Sequence, residues 1–175
     1  MVDMETAKNP SIEEKSTTQR RIIKDRHEVG EILAGLIENA RREIVIFAPQ
    51  LDGALFNTSR FARALASFVA RHRHNLARIV VEDAEQSIRD NDRLVLLFRR
   101  LSDFIHMHQV SDEHIGIREM FVVADHRSYL YQEDTSKHEC ISHLNDAHQA
   151  VMLARRFNEL WDRSEPIQSL RSAGL

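Results

Sequence analysis

The stretch Arg118-Glu-Met-Phe-Val-Val-Ala-Asp-His-Arg-Ser-Tyr-Leu-Tyr131 predicts a β-hairpin. Its first part contains a continuous apolar run, which is typical of a strand buried on both faces. The polar turn Asp125-His126-Arg127 separates this run from a second short strand that contains two tyrosines. The hairpin therefore indicates a buried central sheet, and its turn carries the polar side chains that the hairpin would display.

The segments before the hairpin alternate between helical and strand patterns. Apolar residues in the range 25–40 recur at steps of three and four, which predicts an amphipathic helix. The run Glu43–Ala48 is almost wholly apolar and is followed by Pro49, as expected for a central strand. The same reasoning predicts a second strand at Ala77–Val81 and a third, more polar one at Phe104–Val110.

Three more helices complete the predicted order of elements. One begins at Thr58 or Ser59, both of which are good N-cap residues, and the others cover residues 90–101 and 145–162. Strands alternating with helices, followed by a hairpin and a closing helix, predict an α/β fold with a mixed β-sheet flanked by helices. We expect a flexible leader at residues 1–21, one domain at 22–163 and a flexible tail at 164–175.

Composition and charge limit the classes of function. The 175 residues are 42% hydrophobic and 29% charged, which is ordinary for one globular domain. The net charge is -3 and the basic and acidic residues are interspersed, so nucleic acid is an unlikely partner unless a local patch exists. Arg60, Arg63, Arg71 and Arg73 could form such a patch with RNA or an acidic protein, but a solvated helix face is the simpler interpretation.

Cysteine content and hydropathy bear on the compartment. Cys140 is the single cysteine, which excludes an intramolecular disulfide and fits a reducing environment. No apolar run approaches the roughly 18 residues that a membrane-spanning helix needs, and the first residues lack a signal-peptide pattern. We therefore expect a cytoplasmic protein with no membrane partner.

Residues 22–162 resemble one lobe of the phospholipase D-like superfamily. Active members carry His-x-Lys-x-x-x-x-Asp on the strand that corresponds to the first hairpin strand. In the matching register, Arg118 occupies the His position, Met120 the Lys position and Asp125 the Asp position. The Gly-Ser that follows the motif is replaced within Gln132–Thr135, whereas Asn145-Asp146 is similar to the Asn-Glu that precedes the closing helix. The chain is also similar to an uncharacterised family of small proteobacterial domains that lack the motif.

The resemblance implies a lost reaction. In active members the histidine attacks phosphorus, and the lysine places positive charge beside the phosphoryl oxygens. Arg118 cannot act as that nucleophile, because a guanidinium stays protonated and has no free lone pair, and Met120 is uncharged. Arg118 could still bind a phosphate or carboxylate through two N–H groups, or it could pair with Glu119 or a nearby loop acid. Asp125 is explained by the preference of aspartate for turns.

Other chemically capable residues are expected near the same end of the sheet. Glu82 and Asp83 follow the second strand, and His114 lies in a polar loop, so they would meet where ligands gather in open α/β sheets. A carboxylate beside His114 could serve as a general base. The histidine pairs at 106 and 108 and at 72 and 74 lack the further ligands of a zinc site. We expect no metal and no cofactor.

These observations favour a non-catalytic phospholipase D-like domain that binds a ligand or regulates a partner. The resemblance implies a homodimer, because active members bring two lobes face to face. A protein partner or a small phosphate-bearing ligand would fit Arg118. Two alternatives remain. One is a hydrolase or transferase that acts on a phosphorylated or acyl substrate with relocated catalytic residues, drawn from Glu82, Asp83, His114 and Asp125. The other is a nucleic-acid accessory protein.

Overall fold

The computed structural model describes residues 19–171, and within this range eight strands form one sheet. The strand order is β1-β7-β6-β5-β2-β3-β4-β8. The strands are β1 (Arg21–Ile23), β2 (Glu43–Ala48), β3 (Leu76–Val81), β4 (Ile105–Val110), β5 (Met120–Ala124), β6 (Ser128–Gln132), β7 (Cys140–His143) and β8 (Ser164–Pro166). The predicted hairpin is confirmed as β5 and β6.

Helices pack on both faces of this sheet. They are α1 (Arg26–Asn39), α2 (Gly53–Phe56), α3 (Ser59–Arg71), α4 (Ala84–Asp90), α5 (Asp92–Arg100), α6 (Ala147–Asp162) and α7 (Gln168–Arg171), with a 3₁₀ turn at Asp112–His114. Thr58 caps α3 by accepting a hydrogen bond from the Phe61 backbone N–H, as the sequence predicts. The predicted helix at 90–101 is confirmed as α5 (Asp92–Arg100). The helix α4 before it was not predicted, and Asn91, which has a non-helical backbone conformation, separates the two helices.

The sheet is mixed. Strands β2, β3 and β4 are parallel, and the remaining neighbours are antiparallel. The carboxyl ends of β2, β3 and β4 therefore lie at one edge, which also contains the start of β5 because Phe47 pairs with Phe121. We call this the mouth edge. The amino ends of β2 and β3, together with the β5–β6 turn, form the opposite edge.

Alternating side chains fill two cores. Residues such as Ile44, Ile46 and Val122 pack on one face with α1, α3 and α5. The other face carries Val45 and Phe121, and α6 covers it with its own apolar residues. Strand β2 is buried along nearly its whole length because both of its faces are covered. The α/β prediction of a mixed sheet flanked by helices is confirmed.

The predicted flexible tail needs correction where the structure describes it. Residues Ser164–Pro166 form β8, which pairs with the end of β4, and α7 follows. Ile167 and Leu170 are buried against the first core, so apolar burial holds this segment to the domain. The sequence suggested a tail because Pro166 stops the preceding helical pattern. Residues 1–18 of the predicted leader and residues 172–175 lie outside the described range.

A close backbone approach fixes the loop after β2. A Cβ atom at Gly53 would lie 2.8 Å from the backbone oxygen of Asp90, a distance that real Cβ atoms do not adopt. In contrast, a Cβ atom at Gly30, within α1, would meet nothing within 4 Å. Gly53 is therefore required by packing between the β2–α2 loop and the end of α4.

We predict that Gly53→Ala lowers the free energy of unfolding by about 1–3 kcal/mol, because the loop or α4 must shift. Gly30→Ala should raise it by about 0.5–1 kcal/mol, because alanine is the better helix former and has room. Urea denaturation of both variants tests the pair. Equal effects of the two substitutions would contradict the close approach.

Candidate ligand site at the mouth edge

A cavity of about 340 Å³ opens at the mouth edge. It lies where the end of β2 meets the starts of β5 and β7, and the first turn of α1 closes one side. Its walls combine apolar, amide, acidic and basic groups. The lining residues are Arg26, Val29, Pro49, Gln50, Asp52, Leu55, Asp90, Met120, Gln132, Thr135, His138 and Cys140.

The buried wall of this cavity is apolar and unreactive. Met120 is 3% exposed, and Cys140 is 2% exposed. Burial raises the pKa of the Cys140 thiol to about 11, so the thiol stays protonated at neutral pH. A protonated thiol is a poor nucleophile. This wall can contact a ligand but supplies no charge to a phosphoryl group.

The polar walls hold paired charges. Arg26 forms an ion pair with Asp52, which also caps α2 through the Ala54 backbone N–H. Asp90 accepts a hydrogen bond from the side chain of Gln50 at 3.2 Å and another from Gln86 at 2.8 Å. The cavity therefore combines one arginine with two carboxylates and several amide groups, an arrangement that favours a polar ligand.

Arg118 is outside the lining of this cavity but next to it, because its backbone oxygen accepts a 2.9 Å hydrogen bond from the N–H of the lining residue Thr135. Its side chain is 74% exposed. Its nearest acid is Asp134, whose Oδ2 atom is 3.9 Å from Arg118 Nη1. The hydroxyl and backbone N–H of Ser136, together with the charge of Arg118, lower the pKa of Asp134 and keep it ionised. Glu119 instead pairs with Arg156. A loop acid is thus the partner of Arg118, and an exposed pair of this length is weak.

The structure brings Glu82, Asp83 and His114 to the mouth edge, but each has a local structural partner. Glu82 Oε2 accepts a 2.8 Å hydrogen bond from the backbone N–H of Gly116, which has a φ of +97°. Asp83 caps α4 through the Gln86 backbone N–H. His114 Nδ1 is 3.2 Å from Ser111 Oγ. These contacts shape the loop between β4 and β5.

Asp125 is not part of this site. It lies at the opposite edge, where its carboxylate accepts hydrogen bonds from the backbone N–H groups of Arg41, Arg42 and Glu43 at 2.8, 2.8 and 3.1 Å. Its φ is +54°, a conformation that aspartate tolerates in turns. From the sequence, Asp125 is grouped with the other candidates because it matches the aspartate of the family motif. In the structure, however, Arg118 lies before the start of β5 and Asp125 follows its end, so the length of the strand separates them.

Comparison with protein families identifies one match. The model of a domain of unknown function, DUF7931, matches residues 25–173. The chain belongs to the DUF7931 family. Comparison with curated protein sequences finds no match. The family description assigns no activity to this DUF7931 domain.

Solved structures share the fold of this DUF7931 domain at low sequence identity. The archaeal chromatin protein TrmBL2, described with a novel mode of DNA binding, has a TM-score of 0.64 and 12% identity; the match covers 93% of this chain and 56% of TrmBL2. NucT from Helicobacter pylori has a TM-score of 0.61, 9% identity, and coverage of 85% and 99%. Nuc from Salmonella typhimurium, a phospholipase D family member, has a TM-score of 0.57 and 11% identity. The match covers 85% of this chain and 99% of Nuc. The fold is therefore phospholipase D-like, and the chain spans about half the length of TrmBL2.

Metal ions and membranes are two further kinds of partner. Among residues 19–171, no three His, Cys, Asp or Glu side chains are grouped so that they could hold a metal ion. No helix in that range has the length and apolar character to cross a bilayer. The zinc hypothesis thus gains no structural support from the histidine pairs.

Sequence reasoning missed most of the cavity lining. Arg26, Asp52 and His138 come from three separate loops or helix starts, and no spacing pattern connects them. One sequence signal for the cavity was available. The stretch that the resemblance aligns with the family's Gly-Ser begins at Gln132 and ends at Thr135. Both residues line the cavity.

We predict that Asp125→Ala lowers the free energy of unfolding by about 2–4 kcal/mol, because three backbone N–H groups lose an ionised acceptor. Asp125→Asn should cost less, because its carbonyl oxygen can keep part of the network and asparagine also tolerates positive φ. Chemical denaturation measures both. An Asp125→Ala cost below about 0.5 kcal/mol would exclude this role.

Proposed function

We propose that this domain is a non-catalytic member of the phospholipase D-like fold that binds a small phosphate-bearing ligand at the mouth edge. The single observation that carries the proposal is the exposed guanidinium of Arg118 close to an open polar cavity whose buried wall carries the uncharged Met120. An arginine can hold a phosphate group through two N–H groups without attacking it.

The environment of Arg118 supports a binding role. Its guanidinium is largely exposed, and its ion pair with Asp134 is long enough for a ligand phosphate to compete. The neighbouring cavity offers amide and hydroxyl groups from Gln132 and Thr135 that can orient the rest of a polar ligand. Binding would therefore combine charge at the rim with hydrogen bonds inside.

The rival enzyme with relocated residues has weaker support. A general base needs an acceptor atom that can reach a substrate proton. Asp83 caps α4 and Glu82 binds the Gly116 backbone N–H, so both carboxylates already stabilise local structure. His114 is the remaining candidate, and its Nδ1 atom faces Ser111. Assays of phosphate-ester hydrolysis by the wild type and by His114→Ala test this candidate.

A nucleic-acid accessory role has support of a different kind. TrmBL2 is described by its DNA binding, but a fold match at 12% identity does not transfer a binding surface. A nucleic-acid strand that crossed the mouth edge would pass the carboxylates Glu82, Asp83 and Asp90, whereas a single phosphate group needs to contact only Arg118 at the rim. We do not assign nucleic acid to the mouth edge.

A homodimer formed through the mouth edge completes the proposal. The resemblance to two-lobed phospholipase D-like enzymes suggests this arrangement, and Ile115 in the loop between β4 and β5 is 60% exposed. An exposed isoleucine at the mouth would be buried by a second copy. The cavity of each copy would then be partly closed from solvent.

We predict that inorganic phosphate, a nucleoside monophosphate or a sugar phosphate stabilises the domain in a thermal-shift assay. A ligand at a hundredfold excess over its Kd adds about 2.7 kcal/mol, which corresponds to a rise of roughly 5–10 °C in Tm. Arg118→Ala should weaken binding about tenfold and halve the shift, because it removes a charge-assisted hydrogen bond.

Arg100→Ala is the matched control, because Arg100 is also exposed, lies at the last residue of α5 outside the cavity lining, and gives the same change in net charge. An equal loss of the shift in both variants would contradict a site at Arg118. The same samples are assayed for hydrolysis of bis-p-nitrophenyl phosphate and p-nitrophenyl phosphate. We expect no turnover, and turnover that His114→Ala abolishes would replace the binding proposal with the enzyme.

We also predict that light scattering after size exclusion gives twice the 20.3 kDa chain mass. Ile115→Asp should shift the protein toward monomer, because a charge buried at the contact has no partner. Leu96→Asp is the control, since Leu96 on α5 is 56% exposed but distant from the mouth edge in the fold. A wild-type monomer, or equal dissociation by both variants, would contradict the mouth-edge dimer.

A further inference from the structure

A second concave surface lies at the edge opposite the mouth. It has a volume of about 660 Å³ and is bounded by the end of α1, the start of β2 and the β5–β6 turn. We call it the basic groove. Its polar lining consists of Asn39, Arg41, Arg42, Asp125, Arg127 and Ser128.

The three arginines dominate the charge of this groove. Arg41, Arg42 and Arg127 are all exposed. The side chains of Arg41 and Arg42 have no hydrogen-bond or ion-pair partner within residues 19–171, whereas Arg127 donates to Asn145 Oδ1 at 2.6 Å. Asn145 is neutral, so the positive charge of Arg127 also remains uncompensated by that contact.

Asp125 is the acid within the groove, and its oxygens are already occupied. Both carboxylate oxygens accept backbone N–H groups from residues 41–43. Glu38, at the end of α1, is 3.2 Å from Arg60. Glu43 pairs with Arg78 and His126. Local acids are therefore committed to other groups, and the groove carries an excess of positive charge.

The basic surface continues along the edge beyond the groove. The backbone N–H of Leu76 donates to the Arg42 oxygen, so the start of β3 lies beside Arg42. Arg73 precedes this point and is exposed, and Arg71 donates to the backbone oxygen of Ile37 at 3.4 Å. Neighbouring strands are about 4.8 Å apart. Arginines from the β5–β6 turn, from the connection between α1 and β2 and from the α3–β3 loop thus follow one another along the edge.

We propose that the basic groove binds the phosphate backbone of a nucleic acid. A row of cations suits a linear polymer with regularly repeated charges better than a single small anion. The cations that line the groove are all arginine, whose planar guanidinium matches phosphate oxygens. The inference is independent of the ligand proposed for the mouth edge.

The test measures fluorescence anisotropy of a labelled single-stranded oligonucleotide and of a labelled duplex at about 50 mM salt. We expect binding of at least one of them that weakens steeply with salt. Arg41→Ala/Arg42→Ala should reduce affinity about tenfold or more and flatten the slope of log K against log salt by about 1.4 to 1.8, the value for two lost phosphate contacts.

The double variant should remain folded, because Asp125 uses the backbone N–H groups of residues 41 and 42 and not their side chains. Its unchanged thermal transition verifies this, and Arg41→Glu/Arg42→Glu should abolish binding. The matched control is Arg89→Ala/Arg163→Ala, which changes the net charge equally at exposed sites away from the groove. We expect this control to keep wild-type affinity.

Three outcomes would overturn the proposal. The first is no binding of either oligonucleotide at low salt. The second is an equal loss of affinity in the groove variant and in the Arg89/Arg163 control, which would indicate a nonspecific charge effect. The third is displacement of the oligonucleotide by polyglutamate as effectively as by an unlabelled oligonucleotide of equal charge, which would assign the groove to an acidic protein.

Discussion

The carboxylate of Asp125 joins the hairpin to the start of the central strand. It accepts three backbone N–H groups from residues 41–43, at the point where α1 ends and β2 begins. These donors would otherwise be unsatisfied at the strand end. The same contact fixes the antiparallel register of β5 on β2, in which Val45 pairs with Val123. Because side chains alternate along a strand, this register decides which core each apolar residue enters.

The position of β5 relative to β2 then creates both the mouth edge and the basic groove. Met120 reaches the carboxyl end of β2, where the loop after β2, the end of α4 and the loop between β6 and β7 surround a polar cavity. The turn at the other end of β5 places Arg127 beside Arg41 and Arg42. A mouth with several carboxylates and an opposite edge with several arginines are thus two ends of the same pair of strands.

A polar cluster beneath α6 shows why the net charge is a poor guide to local surfaces. Arg78 on β3 forms a 2.6 Å ion pair with Glu43, donates to Asn158 and lies about 5 Å from the rings of Phe157 and Trp161. Glu43 is consequently unavailable to neutralise the arginines just before it. Partnering inside the fold, which the sequence does not display, leaves some surface charges compensated and others not.

The sequence determined the class of fold. Apolar runs at residues 43–48 and 120–124, with helical periodicity between the strands, depend on local spacing and so can be recognised without a structure. The short helix α4 and the short strands β1, β7 and β8 escaped recognition, because such short elements are stabilised by packing and pairing partners that are distant in the chain. The tertiary structure alone placed Asp125 away from Glu82 and assembled the cavity from distant segments. It also decided that Glu43 pairs with Arg78 and not with Arg41 or Arg42, because ion pairs between distant residues form only once the strands are in register.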